Sequence, residues 1–262
     1  IVTEGENVRP DLIDFKDTCI VAGSDKSLSI PVKAFDTTQR QIPSPSRQQT
    51  TLTATGGPSE VANNKAVFRE QTSSFQVNSR FTWDVTCNHI KKVPYQVVFK
   101  ARDDHPDDQF NQLADLKNLR IKVIGPEPEN LTADPKPKGI DLKWDLPACE
   151  NVKGYYVYRR VDSSNWSPDR CQTGVPGDQG FERIDTITNN QKTTYFDDKA
   201  VPGTRYCYRV SGIYINEGRY NWTEGRVSNE TCARLQRDVP VITHVDVTAT
   251  GTDTGSIFMD WS

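Results

Sequence analysis

The stretch TRYCYRVSGIY, residues 204–214, alternates side-chain character along its length. Tyr206, Tyr208 and Val210 fall on one side, and Cys207, Arg209 and Ser211 on the other. A period of two belongs to a strand, not to a helix. One face should lie in a core and the other in solvent. The same alternation recurs in SLSIPVKAF (27–35), FTWDV (81–85), YQVVFKAR (95–102), LRIKVI (119–124), GIDLKW (139–144), GYYVYRR (154–160) and FERIDTI (181–187), with turn clusters between them. Only DDQFNQLADLKN (107–118) reads as a short helical turn. Short alternating strands at regular spacing predict an all-β protein built of tandem immunoglobulin-like β-sandwiches.

The chain divides at IKVIGPEPENLTA, where the strand ending at Ile124 meets Gly125, Pro126 and Pro128. Two prolines so close together predict a short, stiff linker. A second boundary falls near Asp238. The expected domains are 1–124, 126–236 and 237–262. The last is half of something: GIDLKWD aligns with SIFMDW, so that Ile140 falls on Ile257, Leu142 on Met259 and Trp144 on Trp261. The alignment predicts an internal repeat whose second copy holds only its first two strands, as in a piece cut from a longer tandem array.

The 126–236 segment resembles a fibronectin type III domain. The resemblance rests on Trp144, on NVKGYYVYRR with its Gly-Tyr-x-Val pattern, and on VPGTRYCYRVSGI. It implies that Tyr206 is a corner tyrosine and that Trp144, Tyr155, Val157, Tyr206, Tyr208 and Val210 are core. The second domain is thus of fibronectin type III type. In the first domain, IPVKAFD and VVFKARD end alike, at Asp36 and Asp103, which resembles cadherin-like and related immunoglobulin-like sandwiches.

The chain has 262 residues, a net charge of -3 and no basic stripe, so nucleic acid is not an expected partner. No run is long and apolar enough to cross a membrane as a helix. The six cysteines include no CxxC pair, which argues against zinc and for disulfides in an oxidising compartment. If pairs stay within domains, Cys19 joins Cys87. In the second domain, Cys207 and Cys232 both take polar, solvent-facing positions on adjacent strands of one hairpin, and pair there. Cys149 then pairs with Cys171 by elimination. A loop of roughly 25 residues closed this way stabilises by about 3 kcal/mol.

Catalytic signatures are missing. The three histidines, His89, His105 and His244, sit in no HExxH or i, i+4 pair, and the glycine-rich TGGPSE and TGVPGDQG lack the Lys-Ser/Thr of a phosphate loop. The chain is expected not to be an enzyme and to need no cofactor, with one exception: Asp103 and Asp104, in ARDDHPDD with Asp107 and Asp108, could gather around calcium with Asp36, which ends the similar strand IPVKAFD. Trp166, Tyr220 and Trp222 lie in predicted loops and are candidate anchors for a sugar or a protein. Four Asn-x-Ser/Thr sequons occur, at Asn130, Asn165, Asn221 and Asn229.

From Phe81 to Leu235, and most specifically at Trp83, Cys87 and Pro94-Tyr95, the sequence resembles the large gliding-motility-associated surface proteins of the Bacteroidetes. Many of these carry a terminal domain for type IX secretion. The resemblance implies a secreted, extracellular, monomeric segment of a cell-surface adhesin. It would act as a rod-like spacer and interaction module, with a protein or polysaccharide ligand and no insertion into the membrane. A receptor ectodomain and an accessory region of a secreted polysaccharide-degrading enzyme are the alternatives.

Overall fold

Tyr95, Val97, Phe99, Ala101 and Asp103 all point inward from one strand, and every second residue between them is wetter. That pattern is repeated through the computed structural model, which describes residues 7–25, 27–36, 48–104, 112–215, 222–235 and 242–261. Regular structure among the described residues is strand, with short 3-10 turns.

Strands are numbered along the chain. The first half pairs two sheets. One runs β1 (Asp11–Leu12), β3 (Leu28–Phe35), β7 (Gln76–Trp83), β5 (Val67–Phe68). The other runs β2 (Thr18–Val21), β9 (Ala114–Ile124), β8 (Tyr95–Asp103), β4 (Thr50–Gly56), β6 (Gln71–Ser73). Between them Phe99 meets Phe15, Phe68 and Phe81 at centroid distances of 4.6, 5.7 and 5.9 Å, within the range where aromatic pairs attract. Among the described pairings only β2 with β9 is parallel.

The second half again pairs two sheets. One runs β10 (Glu129–Lys136), β11 (Gly139–Asp145), β14 (Thr194–Asp197). The other runs β13 (Glu182–Ile187), β12 (Val152–Val161), β15 (Arg205–Ile215), β16 (Trp222–Val227), with β17 (Thr231–Arg234) also on β15. Trp144, Tyr155, Val157, Tyr206, Tyr208 and Val210 are all buried between them, as expected. Trp144 lies edge-on to Tyr155 at 5.3 Å. Tyr206 lies under the Arg159 guanidinium, 4.9 Å from its ring centroid.

Three expectations change. The helical turn over 107–118 does not survive: residues 114–118 are the start of β9, and 105–111 lie outside the described residues. Leu113 and Leu116 suggest a helical face, but it is Asp115 that turns inward, where its carboxylate accepts the Leu12 N–H at 3.0 Å. The polar side of β15 is not solvated either. Cys207, Arg209 and Ser211 are as buried as their neighbours, because residues 162–181 cross the outer face of the sheet. Arg209 sits beneath Trp166 and Phe181, donating to the Trp166 carbonyl and pairing with Glu230. Third, the cysteines. Cys207 does pair with Cys232, directly opposite it in register. The remaining pairs are Cys19–Cys171 and Cys87–Cys149, so the pairings Cys19–Cys87 and Cys149–Cys171 are wrong. Both bridges cross between the halves, where the premise that pairs stay within domains fails.

The final strands, β18 (Ile242–Ala249) and β19 (Ser256–Trp261), form an antiparallel hairpin. The repeat read from the sequence has a counterpart here. Ile140, Leu142 and Trp144 lie on the second strand of the hairpin β10–β11, and Ile257, Met259 and Trp261 on the second strand of β18–β19. The first trio is 0%, 0% and 1% exposed; the second is 63%, 49% and 61% exposed.

Candidate functional site

The segment expected to be a stiff linker is instead walled in. Gly125, Pro126 and Pro128 are buried. Tyr214, on β15, lays its ring over Gly125 and donates its hydroxyl to the Pro126 carbonyl at 3.1 Å. The Arg226 N–H donates to the Gly125 carbonyl at 2.9 Å, and its side chain faces Glu127 at 3.5 Å. Burial pushes the Tyr214 hydroxyl well above the ordinary tyrosine value, with the neighbouring Tyr155 and the Glu127 charge adding to it.

The two bridges flank this segment. Cys19, on β2, reaches Cys171 in the 162–181 crossing; Cys87, in the 3-10 turn Cys87–His89, reaches Cys149 before β12. Gly23 turns the chain after β2 at φ 80° and lies against Ala148 and Cys149. Asp25 accepts from the Val21 N–H at 2.8 Å and from Arg170 at 2.7 Å, across the junction. Partial burial works against the charged Asp25, but those two donors outweigh it and hold its carboxyl below the ordinary value. Asn151 donates to the Cys87 carbonyl at 2.9 Å. The buried apolar residues of both halves form one continuous cluster.

A groove of about 490 Å³ opens along this junction. Lys92 and Lys122 line it from the first half; Tyr156, Arg183, Trp222 and Glu224 line it from the second. Lys122 donates to Thr173 Oγ1 at 3.3 Å, two residues from Cys171. Arg183 stacks over Tyr156 at 4.6 Å. Glu224 is turned inward: its Oε1 accepts from the Tyr158 hydroxyl at 2.6 Å and from the Ser211 hydroxyl. Burial, and then that hydrogen bond, push the Tyr158 hydroxyl up. Trp222 is exposed at the rim.

A second hollow, of about 470 Å³, is lined by His89, Lys91, Tyr95, Asn63 and Asn151. His89 is held at both nitrogens: Nδ1 accepts the Thr86 N–H at 3.0 Å, and Nε2 lies 2.9 Å from the Asn63 carbonyl, which can only accept. Such an imidazole is a structural post, with no nitrogen left over for proton transfer.

The sequence-predicted site residues are scattered. Of the three aromatic candidates, Trp222 alone is found at a groove; Trp166 is stacked on Arg209 and Tyr220 lies outside the described residues. Asp36 and Asp103 are both fully buried. Gln48 donates to Asp36 at 2.6 Å and Thr50 at 3.2 Å; Asn7 donates to Asp103 at 3.2 Å and the Leu113 N–H at 2.8 Å. Asp104 is occupied separately, by the Gln49 N–H. Among the described residues, three potential metal-ligating side chains meet at one point only at Cys207, Glu230 and Cys232, where both sulfurs are spent in a disulfide. Asp107, Asp108, His105 and Asn221 lie outside the described residues. Asn229 bonds twice to Leu131, accepting from its N–H at 3.0 Å and donating to its carbonyl at 2.9 Å.

Sequence reasoning missed Lys92, Lys122, Tyr156 and Arg183. They are remote in sequence: Tyr156 and Arg183 meet through the pairing of β12 with β13, and Lys92 and Lys122 reach them where the two halves abut. No protein-family model matches the chain, and no curated protein matches it.

Proposed function

We propose that the chain is a non-catalytic segment of a secreted cell-surface protein of the adhesin or gliding-motility type. Two consecutive immunoglobulin-like sandwiches, the second of fibronectin type III type, act as a stiff spacer and interaction module. The β18–β19 hairpin begins a further such domain. The observation that carries this reading is the junction. A flexible pair of domains needs an accessible linker, and here the linker is buried under Tyr214 and bypassed by two disulfides. Three disulfides suit an oxidising, extracellular setting.

The mechanical consequence is specific. Cys19 and Cys171 are 152 residues apart in sequence but 5.8 Å apart in space. Tension applied through the chain ends passes across that bridge, so residues 20–170 leave the load path. At about 3.5 Å per extended residue, roughly 500 Å of contour is locked away. Pulling single molecules tests this. Oxidised protein should yield without that length, and reductant should release it. An oxidised molecule that extends through the 20–170 segment would defeat the spacer reading.

A further inference from the structure

We propose that the groove at the junction binds an anionic polysaccharide, a sugar ring on Trp222 and its acidic groups on Lys92, Lys122 and Arg183. The charge balance comes first. The whole chain carries a net charge of -3, yet among the described residues the groove gathers three cations against one carboxylate, and that carboxylate already accepts from Tyr158 and Ser211. A local positive field on an otherwise acidic protein selects anions. Next is the shape. The groove is open, and Ile213, its aliphatic residue, is buried and offers almost no apolar surface. A protein partner needs a desolvated pocket for an apolar anchor, and none is present there. A saccharide needs a flat ring to lie on and polar groups around it. Trp222 supplies an exposed ring at the rim, and Tyr156 holds the Arg183 guanidinium in place beside it. Arg and Lys suit carboxylated and sulfated sugars alike. Finally, the cationic side chains belong to both halves of the chain, and the Cys19–Cys171 and Cys87–Cys149 bridges hold those halves in place. Such preorganisation favours binding without new contacts.

The inference gives the interaction module a ligand class and rests on that reading, but its test is separate from the pulling experiment. The oxidised full chain is titrated calorimetrically with a uronate hexamer, a sulfated galactan hexamer, a neutral glucan hexamer and a poly-glutamate peptide. Either acidic hexamer should bind, with affinity falling as salt rises, and the neutral hexamer should bind at least tenfold more weakly. Tighter binding of the uronate points to carboxylated glycans, and tighter binding of the galactan to sulfated ones. Trp222→Ala and the double variant Lys92→Glu/Arg183→Glu should each weaken binding about tenfold or more, a loss on the order of one stacking or ionic contact. These side chains are exposed, so unchanged melts would show that the variants fold. Silence toward both acidic hexamers, or full affinity in Trp222→Ala, would overturn the proposal. So would poly-glutamate binding as tightly as the sugars, which would give the groove to an acidic protein.

Discussion

Gly125 has no room for a methyl group: a Cβ there would lie 2.1 Å from Tyr214 Cε2. Relief requires that a fully buried ring move or that the junction open. Gly125→Ala should therefore cost about 1–3 kcal/mol, as overpacking does, and Tyr214→Phe about 1 kcal/mol for the lost hydrogen bond. Urea melts of the two variants check the order. Burial also decides the alkaline limit. It pushes Tyr155 up to about 12 from an ordinary 10.0, and raises Tyr158, Tyr208 and Tyr214 as well. A folded value above the unfolded one means that the native state holds the proton longer. The stabilisation is whole below about pH 10 and is lost as pH climbs through the folded values. Phenolate absorbance should thus lag in the folded protein and rise together with unfolding; independent ionisation of these tyrosines near 10 would contradict it. Asp36 and Asp103 were legible in the sequence as two strand ends alike, and the structure does draw both into one hydrogen-bonded cluster with Asn7, Gln48 and Thr50. With these donors on the two carboxylates, the protein should melt identically in EDTA and in millimolar calcium. A rise of several degrees with calcium would instead assign it a cation.

At the scale of elements, strand period was the readable quantity. The alternating runs of 95–102, 139–144 and 204–214 each became a strand within a residue or two of its predicted ends. The period could say which residues share a face, not what covers that face. On β15 one face meets β10, β11 and the core, and the other meets the 162–181 crossing, a turn-rich stretch with no strand pattern to announce it. Arg209 holds that crossing down, and Glu230 in turn receives the Ser164 N–H and hydroxyl. Arg209→Ala removes the charged partner of Glu230 and the donors to the Ser228 and Trp166 carbonyls, and should cost about 1–3 kcal/mol. Trp166 should become wetter, with a red-shifted emission that the Trp166→Phe background lacks. The region of β9 failed for the opposite reason: a short window with leucines three apart fits a helix and a strand equally well, and the pairing with β8 and β2 decides.

At the scale of the whole molecule, the position of the junction was legible at Gly125, Pro126 and Pro128, but not how the halves abut there. Parity located Cys207 and Cys232 because both lie on strands of one hairpin, where spacing implies distance. Cys19, Cys87, Cys149 and Cys171 lie at sheet ends and in turns, where spacing implies nothing. Their partners depend on how the two halves abut, and that is set by Gly125, Tyr214 and Gly23 in contact, not by any local pattern. The crossed bridges tie the halves together on either side of the buried linker, so they carry the account. Peptide mapping of the unreduced protein by mass spectrometry tests them most directly. Linked peptides containing Cys19 with Cys171 and Cys87 with Cys149 are the predicted result, and Cys19 with Cys87 and Cys149 with Cys171 would contradict it.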